Sequence, residues 1–285
     1  MNFELNQQTS IEQLIKLALK EDIGDGDHTA LSCIPNSATG KAQLLIKDIG
    51  IIAGIEIAEK VFSTVDPNLV FHRLMNDGET VKVGDIAFTI EGKSQSILMG
   101  ERLALNYMQR MSGIATHTNY LNSLLKGLNT KVLDTRKTTP GFRVFEKMAV
   151  KIGGGVNHRF GLYDMIMIKD NHIDYAGGIK EAIYATKNYL QNNNIKIKIE
   201  VEARNLNEVQ QILESGKVDR IMLDNFTYEE LTKAVQLISD RAETEASGGI
   251  TEQTIRKYAE CGVDYISVGA LTHQIKSLDM SLKAL

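Results

Sequence analysis

The chain has 285 residues, a formal net charge of −4 and a pI near 5.9. A chain of this length can bury a substantial core and permits one large domain or two medium ones. Because an acidic protein lacks the extended positive surface that nucleic acids select, we predict no nucleic-acid partner.

The cysteine content and the hydrophobic runs bear on the compartment. Cys33 and Cys261 are the two cysteines, and their spacing fits neither a metal site nor a redox motif, which is typical of reduced thiols. The apolar runs are all shorter than the roughly 20 residues needed to cross a bilayer. The first ten residues lack the basic and apolar regions of a secretory signal. We therefore expect a cytoplasmic protein without a membrane partner.

The first half of the chain predicts a mixed layer of helices and strands. Apolar residues at helical spacing predict a helix over 10–20, and short strands with glycine turns follow from Lys41. A longer helical pattern runs from Ser96 to Gly127, and we expect it to be interrupted near Ser112 and Gly113. This half thus reads as an α+β layer that leads into a long helical connector.

From Lys131 onward the pattern changes to alternating strands and helices. Four of the apolar strands begin near residues 196, 219, 242 and 265, at intervals of 23 residues, which is the length of one βα unit. Regular alternation of this kind predicts a parallel sheet and favours a (β/α) barrel. The strand count falls short of eight, so both an incomplete barrel and an open sheet fit the pattern.

A basic segment lies inside this acidic chain. Between Leu133 and His172 there are seven Lys or Arg residues against four Asp or Glu. Five of the cationic side chains follow the end of a strand or loop: Arg136, Lys137, His158, Arg159 and Lys169. If they converge, their mutual repulsion disfavours an empty site. We therefore predict that they bind a small polyanionic molecule.

Acidic residues follow or end the neighbouring strands. Glu200 and Glu202 are two residues apart on one strand and thus face the same side, and Asp224 ends the next strand. Their oxygens suit magnesium or the hydroxyl pair of a sugar. The alternative is an internal ion pair with one of the basic residues, above all for Glu200.

Lys169 has three interpretations. It follows the apolar strand MIMI, so its ammonium group could contact an anion, or form a Schiff base as in barrel lyases, or make a salt bridge with a neighbouring acid. The four other cations in the segment favour the anion contact.

Two glycine-containing turns end the last two strands. Ser247-Gly248-Gly249 and Val268-Gly269-Ala270 each precede a helix. Barrels commonly bind phosphate at this position, through backbone N–H groups and a helix N-terminus.

An ordered set of motifs resembles one family, the quinolinate phosphoribosyltransferases. The motifs run along essentially the whole chain: EDIGDGDHT, GERLALNYMQRMSGIAT, LDTRKTTPGFR, GGGVNHR, IKDNH, EVE, IMLDNF, SGGI and ISVGALTH. The resemblance implies an α/β fold with an N-terminal α/β sandwich domain over 1–112, rejoined by a C-terminal tail over 273–285. Residues 113–272 would form an incomplete (β/α) barrel with parallel strands. SGGI replaces the SGNI of some members, which leaves the backbone contacts intact.

The resemblance also implies an activity and partners. Family members transfer phosphoribosyl from phosphoribosyl pyrophosphate to quinolinate, with decarboxylation, in de novo NAD biosynthesis. They use Mg²⁺ and no organic cofactor, and they form at least a homodimer with a shared active site. The alternatives are a related phosphoribosyltransferase acting on another ring acid and the Schiff-base barrel lyase that would use Lys169.

Residue roles carry over motif by motif. Arg136, His158, Arg159 and Lys169 would hold the quinolinate carboxylates beside Thr135, and Lys137 and Lys169 would meet the pyrophosphate. Glu202 and Asp224 would bind the ribose hydroxyls and the metal, so Lys137, Lys169, Glu202 and Asp224 form the expected catalytic set. The 5′-phosphate would lie on Ser247, Gly248, Gly249, Val268, Gly269 and Ala270, and Arg102 would come from the neighbouring subunit.

Overall fold

The computed structural model describes the backbone from Phe3 onward and the side chains from Ile11 to Leu285. These residues form two compact units. The first comprises the described residues up to Asn119 together with Thr138–Gly154 and Leu271–Leu285, and the second comprises Tyr120–Lys137 and Gly155–Ala270. Over the described residues, the helices are all too short or too polar to span a membrane.

Helices and strands alternate in an irregular order before residue 131 and regularly after it. The helices are α1 (Phe3–Ile23), α2 (His28–Cys33), α3 (Ile55–Val65), α4 (Ser94–Leu124), α5 (Arg143–Ile152), α6 (Asp170–Ala176), α7 (Ile179–Asn192), α8 (Leu206–Glu214), α9 (Tyr228–Ile238), α10 (Ile255–Glu260) and α11 (Ala270–His273). The strands are β1 (Thr39–Ile46), β2 (Gly50–Ile51), β3 (Val70–Arg73), β4 (Thr80–Val81), β5 (Ile86–Lys93), β6 (Lys131–Leu133), β7 (Met165–Ile168), β8 (Lys198–Ala203), β9 (Arg220–Asp224), β10 (Glu243–Ser247), β11 (Tyr265–Ser267) and β12 (Met280–Ala284).

The first unit is built on an antiparallel sheet of order β12–β1–β5–β3. The C-terminal strand β12 pairs along β1, with Ala42 opposite Ala284. From Ala42 to Ile46, the side chains of β1 alternate between buried and half-buried, as expected for a sheet with one more exposed face. The rings of Phe62, Phe71 and Phe88 pack together in its core, with centroids 4.3–6.2 Å apart.

Helix α4 is continuous, so the predicted interruption near Ser112 and Gly113 is wrong. Ser112 does not break the helix because its buried hydroxyl group accepts a hydrogen bond from the Ala53 N–H at 2.9 Å. Gly113 is needed for close packing rather than for a turn. A Cβ atom at this position would lie 2.3 Å from the carbonyl oxygen of Lys276 and 2.9 Å from Ile275 Cγ2.

We expect the substitution Gly113→Ala to destabilise the protein by about 1–3 kcal/mol, measured by urea unfolding. In an open helix the same change stabilises by roughly 1 kcal/mol, but here the methyl group overlaps the backbone of the C-terminal segment. Asn119→Ala, on the exposed side of the same helix, is the control and should change stability little. Equal or greater stability of Gly113→Ala would contradict the close packing.

The second unit contains the parallel sheet, in the order β6–β11–β10–β9–β8–β7. Strands β8 to β11 follow one another at intervals of about one βα unit, as the sequence spacing predicts. Val156 forms a parallel bridge with Leu133 on the remaining side of β6, and β6 and β7 are not paired with each other. The unit is therefore an incomplete barrel of parallel strands, and this prediction is confirmed.

Candidate functional site

Three polar residues lie side by side at the carboxyl end of the parallel sheet. In the register of β8 and β9, Glu202 is opposite Met222, two residues before Asp224, and Asp224 is opposite Ser247 on β10. Because alternate residues of a strand share a face, all three lie on one side of the sheet. The structure therefore brings together the predicted ribose and metal residues with the first residue of the predicted phosphate turn.

Lys169 is paired with the same group. Its Nζ lies 3.4 Å from Glu202 Oε2, its side chain is about half exposed, and its peptide N–H donates to Nδ1 of His172 at 2.9 Å. This is the salt bridge that the sequence left open. A half-exposed lysine paired with a carboxylate lacks the apolar surroundings that activate a Schiff-base lysine, so the geometry favours an anion contact.

The electrostatics of Glu202 suit a bound cation. Burial raises the pKa of its carboxyl group, Lys169 counteracts this, and the charges of Asp224 and Asp170 raise the pKa further. A magnesium ion is typically held by one or two carboxylates together with substrate phosphates. Glu202 and Asp224 fit that requirement, because two acids that repel one another are stabilised by a cation between them.

The loop after β6 is held at its first residues. Lys137 N–H donates to the Thr135 hydroxyl at 3.0 Å, which folds the chain tightly around Arg136. Asp134, which is fully buried, accepts the His158 N–H at 2.8 Å and thereby ties the end of β6 to the next predicted site segment.

Two of the predicted cations repel one another. Burial and then the charge of Arg136 lower the pKa of Arg159. The Arg159 side chain also donates to the carbonyl oxygen of Met165 at 3.2 Å, which directs it toward the start of β7. Arg136 and Arg159 are two of the five predicted cations, and a bound anion would relieve the repulsion between them.

One nitrogen of the His158 ring faces two acids of the parallel sheet. Its Nε2 lies 3.0 Å from Glu200 Oε2 and 3.4 Å from Glu245 Oε2, and its Nδ1 accepts the Arg159 N–H at 2.7 Å. Nε2 therefore carries the proton of the neutral ring. The internal ion pair is thus the interpretation that holds for Glu200, and only the Nδ1 edge of His158 is directed away from the two acids.

The pKa values of these three groups depend on one another. Burial alone would lower the pKa of His158, but the hydrogen bonds and charges of Glu200 and Glu245 raise it to about 9. Burial and the charge of Glu245 raise the pKa of Glu200 as well.

His158, Glu200 and Glu245 have the residue types of a metal site, and their ligand atoms lie within 4.8 Å of one another. Arg220 already neutralises part of this negative charge, since its Nη1 lies 3.1 Å from Glu245 Oε2. This cluster is therefore compensated by an arginine of the same sheet.

The two glycine turns occupy the expected strand ends. Gly248 has a φ of +102°, and a Cβ atom there would lie 2.2 Å from Asn225 Oδ1, so only glycine fits beside that side chain. Val268 N–H donates to the Leu133 carbonyl at 3.0 Å, Gly269 follows it, and Ala270 begins α11. Gly249 also has a positive φ and has open space around its Cα.

Arg102 lies in the first unit, exposed on α4. The sequence analysis missed the charge network beside His158, whose members are Arg220, Glu243 and Glu245. The signal was present in the strand ETEAS, whose acids alternate in the same way as Glu200 and Glu202. An arginine at the start of β9 carries no comparable signal, because it reads as an exposed strand terminus.

Comparison with known proteins identifies the family. The family models for the N-terminal and C-terminal domains of quinolinate phosphoribosyl transferase match residues 27–112 and 114–283. The chain is 46% identical over 288 residues to quinolinate phosphoribosyltransferase (decarboxylating) 1b of Nicotiana tabacum, covering 96% of this chain and 82% of that protein. It is 45% identical over 288 residues to the chloroplastic nicotinate-nucleotide pyrophosphorylase (carboxylating) of Arabidopsis thaliana, with the same coverage.

A solved structure agrees with these sequence matches. The crystal structure of NadC from Streptococcus pyogenes superposes with a TM-score of 0.91 at 39% sequence identity, covering 96% of this chain and 97% of that one. Both halves of the chain match in sequence and the fold matches over nearly its full length, so the chain belongs to the quinolinate phosphoribosyltransferase family.

Proposed function

We propose that this protein transfers the phosphoribosyl group of phosphoribosyl pyrophosphate to quinolinate, releasing pyrophosphate and carbon dioxide and giving nicotinate mononucleotide for NAD biosynthesis. The observation that carries the proposal is the arrangement of Lys169, Glu202 and Asp224 at the carboxyl end of the parallel sheet. It combines a cation for anionic groups with carboxylates for a sugar and a metal. Family membership supports the same reaction.

The residues divide between the two substrates. Arg136, Arg159, Lys169 and the Nδ1 edge of His158 hold the two carboxylates of quinolinate, with Thr135 shaping the loop. Lys137 and Lys169 meet the pyrophosphate, and Glu202 and Asp224 hold the ribose hydroxyls. The 5′-phosphate lies on the turns of Ser247, Gly248 and Gly249 and of Val268, Gly269 and Ala270, each of which precedes a helix.

The reaction needs charge stabilisation more than acid–base chemistry. As the bond between ribose C1 and pyrophosphate breaks, positive charge grows on the sugar beside Glu202 and Asp224, and negative charge grows on the pyrophosphate beside Lys137 and Lys169. Magnesium, when bound at Glu202 and Asp224, would supply further positive charge for the phosphate oxygens.

The ring then provides its own electron sink. The quinolinate nitrogen bonds to ribose C1 and becomes cationic, which favours loss of the adjacent carboxylate as carbon dioxide. The electron pair of the broken C–C bond stays on the ring carbon, which takes up a proton. Because the ring nitrogen already stabilises this charge, we propose that no organic cofactor takes part.

The direct test is release of labelled carbon dioxide from carboxyl-labelled quinolinate, with phosphoribosyl pyrophosphate and Mg²⁺ present. We expect release that depends on both substrates, together with formation of nicotinate mononucleotide. Nicotinate, which lacks the second carboxylate, is the matched control and should not be converted. Conversion of nicotinate or another ring acid in place of quinolinate would contradict the proposal and favour the related phosphoribosyltransferase.

The Schiff-base lyase predicts that borohydride traps a substrate adduct on Lys169. We expect no such adduct, because the Lys169 ammonium group is paired with Glu202. A trapped adduct at this residue would favour the lyase.

We further propose a homodimer whose active sites are shared through Arg102, or a higher assembly built from such dimers. If Arg102 acts in the neighbouring subunit, mixing inactive Arg102→Ala and Glu202→Ala proteins should restore part of the activity, because a mixed dimer then contains one intact site. Subunit exchange is confirmed separately with tagged chains. Absence of recovery in exchanged dimers would argue against a shared site.

We also propose that the protein works in the cytoplasm. Cys33 and Cys261 are both free thiols, which is typical of a reducing compartment.

A further inference from the structure

A fully buried glutamate in the first unit binds the loop that follows Thr135-Arg136-Lys137. Glu146 on α5 is 0% exposed. Its Oε2 accepts the Thr139 N–H at 3.1 Å, and its Oε1 accepts the Thr139 hydroxyl at 3.0 Å. One carboxylate thus binds both hydrogen-bond donors of Thr139, its N–H and its hydroxyl group, two residues after Lys137.

Arg110 on α4 compensates the charge of this buried carboxylate and binds a second segment. Its Nη2 lies 2.9 Å from Glu146 Oε1 and also donates to the Thr272 carbonyl, and its Nη1 donates to the Ile275 carbonyl at 3.3 Å. Thr272 lies three residues after Gly269. Through Glu146, the guanidinium group therefore connects the chain at Thr139 with the chain at Thr272, both within the first unit.

The end of the same loop is fixed by aromatic packing. Phe142 stacks on Tyr107 of α4, with ring centroids 5.3 Å apart and planes inclined by 10°, and both rings contact Phe145. Arg143 Nε donates to the Thr138 hydroxyl at 2.9 Å. The segment from Thr138 to Arg143 is thus held along its length, and the ion pair lies where the loop enters from Lys137.

We infer that Arg110 and Glu146 form a positioning pair. The pair fixes the chain two residues after Lys137 and three residues after Gly269, and it thereby restrains two segments that we assign to phosphate groups. The inference deepens the proposed function, because its kinetic part rests on the roles of these two segments. Neither residue needs to contact a substrate. A buried carboxylate paired with a partly buried arginine through several hydrogen bonds fixes geometry more strongly than a surface pair, because the carboxylate is poorly stabilised without the arginine.

The test is the variant Glu146→Gln, which retains the size and one acceptor oxygen but removes the charge. We expect the KM for phosphoribosyl pyrophosphate to rise at least tenfold, because Lys137 and the Val268-Gly269-Ala270 turn are both assigned to its phosphates. The KM for quinolinate, which has further contacts in the other segments, should change less than threefold. Arg110→Lys should show the same division between the two substrates, with a smaller effect.

A matched control separates positioning from general loss of stability. Ser112 lies on the same helix as Arg110 and is fully buried. Ser112→Ala loses two buried hydrogen bonds, one from the Ala53 N–H and one to the Ala53 carbonyl. We expect this variant to lose comparable stability while keeping both KM values. Equal rises of KM in Ser112→Ala and Glu146→Gln would overturn the inference, as would an unchanged KM for phosphoribosyl pyrophosphate in folded Glu146→Gln.

Hydrogen exchange tests the positioning without any substrate. In Glu146→Gln, amide exchange should accelerate in the peptides covering residues 135–142 and 268–275, and should stay unchanged in β1 and β5. This result does not depend on the reaction, so failure of the proposed function and failure of the inference can be distinguished. Unchanged exchange in both segments would overturn the inference. If Glu146→Gln does not fold, the same measurement is made on Arg110→Lys.

Discussion

Lys137→Ala and Glu202→Ala are each expected to lower kcat roughly 10²–10³-fold. This is the usual effect of removing one preorganised group that stabilises charge in the transition state. Lys137 would lose its contact with the leaving pyrophosphate. Glu202→Ala would remove a carboxylate from the side of the ribose and one of the two acids that suit magnesium. Steady-state kinetics with both substrates saturating measures this effect.

Stability should change little in these variants. The charges of Asp224 and Asp170 disfavour the ionised form of Glu202, so its removal relieves repulsion as well as breaking the pair with Lys169. Glu214→Gln is the control, because Glu214 is an exposed glutamate 3.9 Å from Lys180 on the outer helices. It should keep full activity. A fully active Lys137→Ala or Glu202→Ala protein would refute the site assignment.

The fold was largely predictable from strand spacing. Apolar strands of three to six residues, separated by helices at a nearly constant interval, are compatible with few folds other than a parallel sheet with helices against it. The interruption predicted in α4 failed for a physical reason. A glycine within a helix usually signals a break, but Gly113 instead accommodates the backbone of a segment more than 150 residues later in the chain.

The site was predictable in its residue types and less so in its pairings. Glu200 and Glu202 share one strand and one face, yet Glu200 lies level with Arg220 and Glu202 lies level with Met222, nearer the carboxyl end. The strand register decides which acid is buried against His158 and which pairs with Lys169. That register depends on the neighbouring strands, so the local sequence leaves it open. The pair of Arg110 and Glu146 has no local signal either, because its members lie on separate helices.

Arg220→Met is expected to destabilise the protein by about 3–5 kcal/mol, the effect of leaving a buried carboxylate without its partner. Arg220 is 6% exposed and bridges two acids, with Nη1 3.1 Å from Glu245 Oε2 and Nη2 3.0 Å from Glu243 Oε2. Its guanidinium group also lies 4.1 Å from the centroid of the Tyr265 ring. Methionine fills the space but supplies neither charge nor hydrogen bonds.

The sign of the pH dependence follows from the pKa values of the two acids. Burial opposes ionisation of Glu245, but His158 and Arg220 outweigh it and lower its pKa below the ordinary value of 4.5, and Arg220 does the same for Glu243. A lowered glutamate pKa stabilises the folded protein above pH 4.5, and this contribution is lost as the pH falls through the folded-state value. The stability difference between the wild type and Arg220→Met should therefore narrow as the pH falls below about 4.5.

Urea unfolding at several pH values measures this difference, and two further variants test its cause. Arg204→Met removes a half-exposed arginine that is paired with Glu208 at 2.7 Å, and it should lose at most about 1 kcal/mol. Adding Glu245→Gln to Arg220→Met should recover part of the lost stability, because the double variant no longer buries an unpaired carboxylate at that position. If Arg220→Met is no less stable than Arg204→Met, or if Glu245→Gln deepens the loss additively, then the buried charge balance does not stabilise the sheet interior.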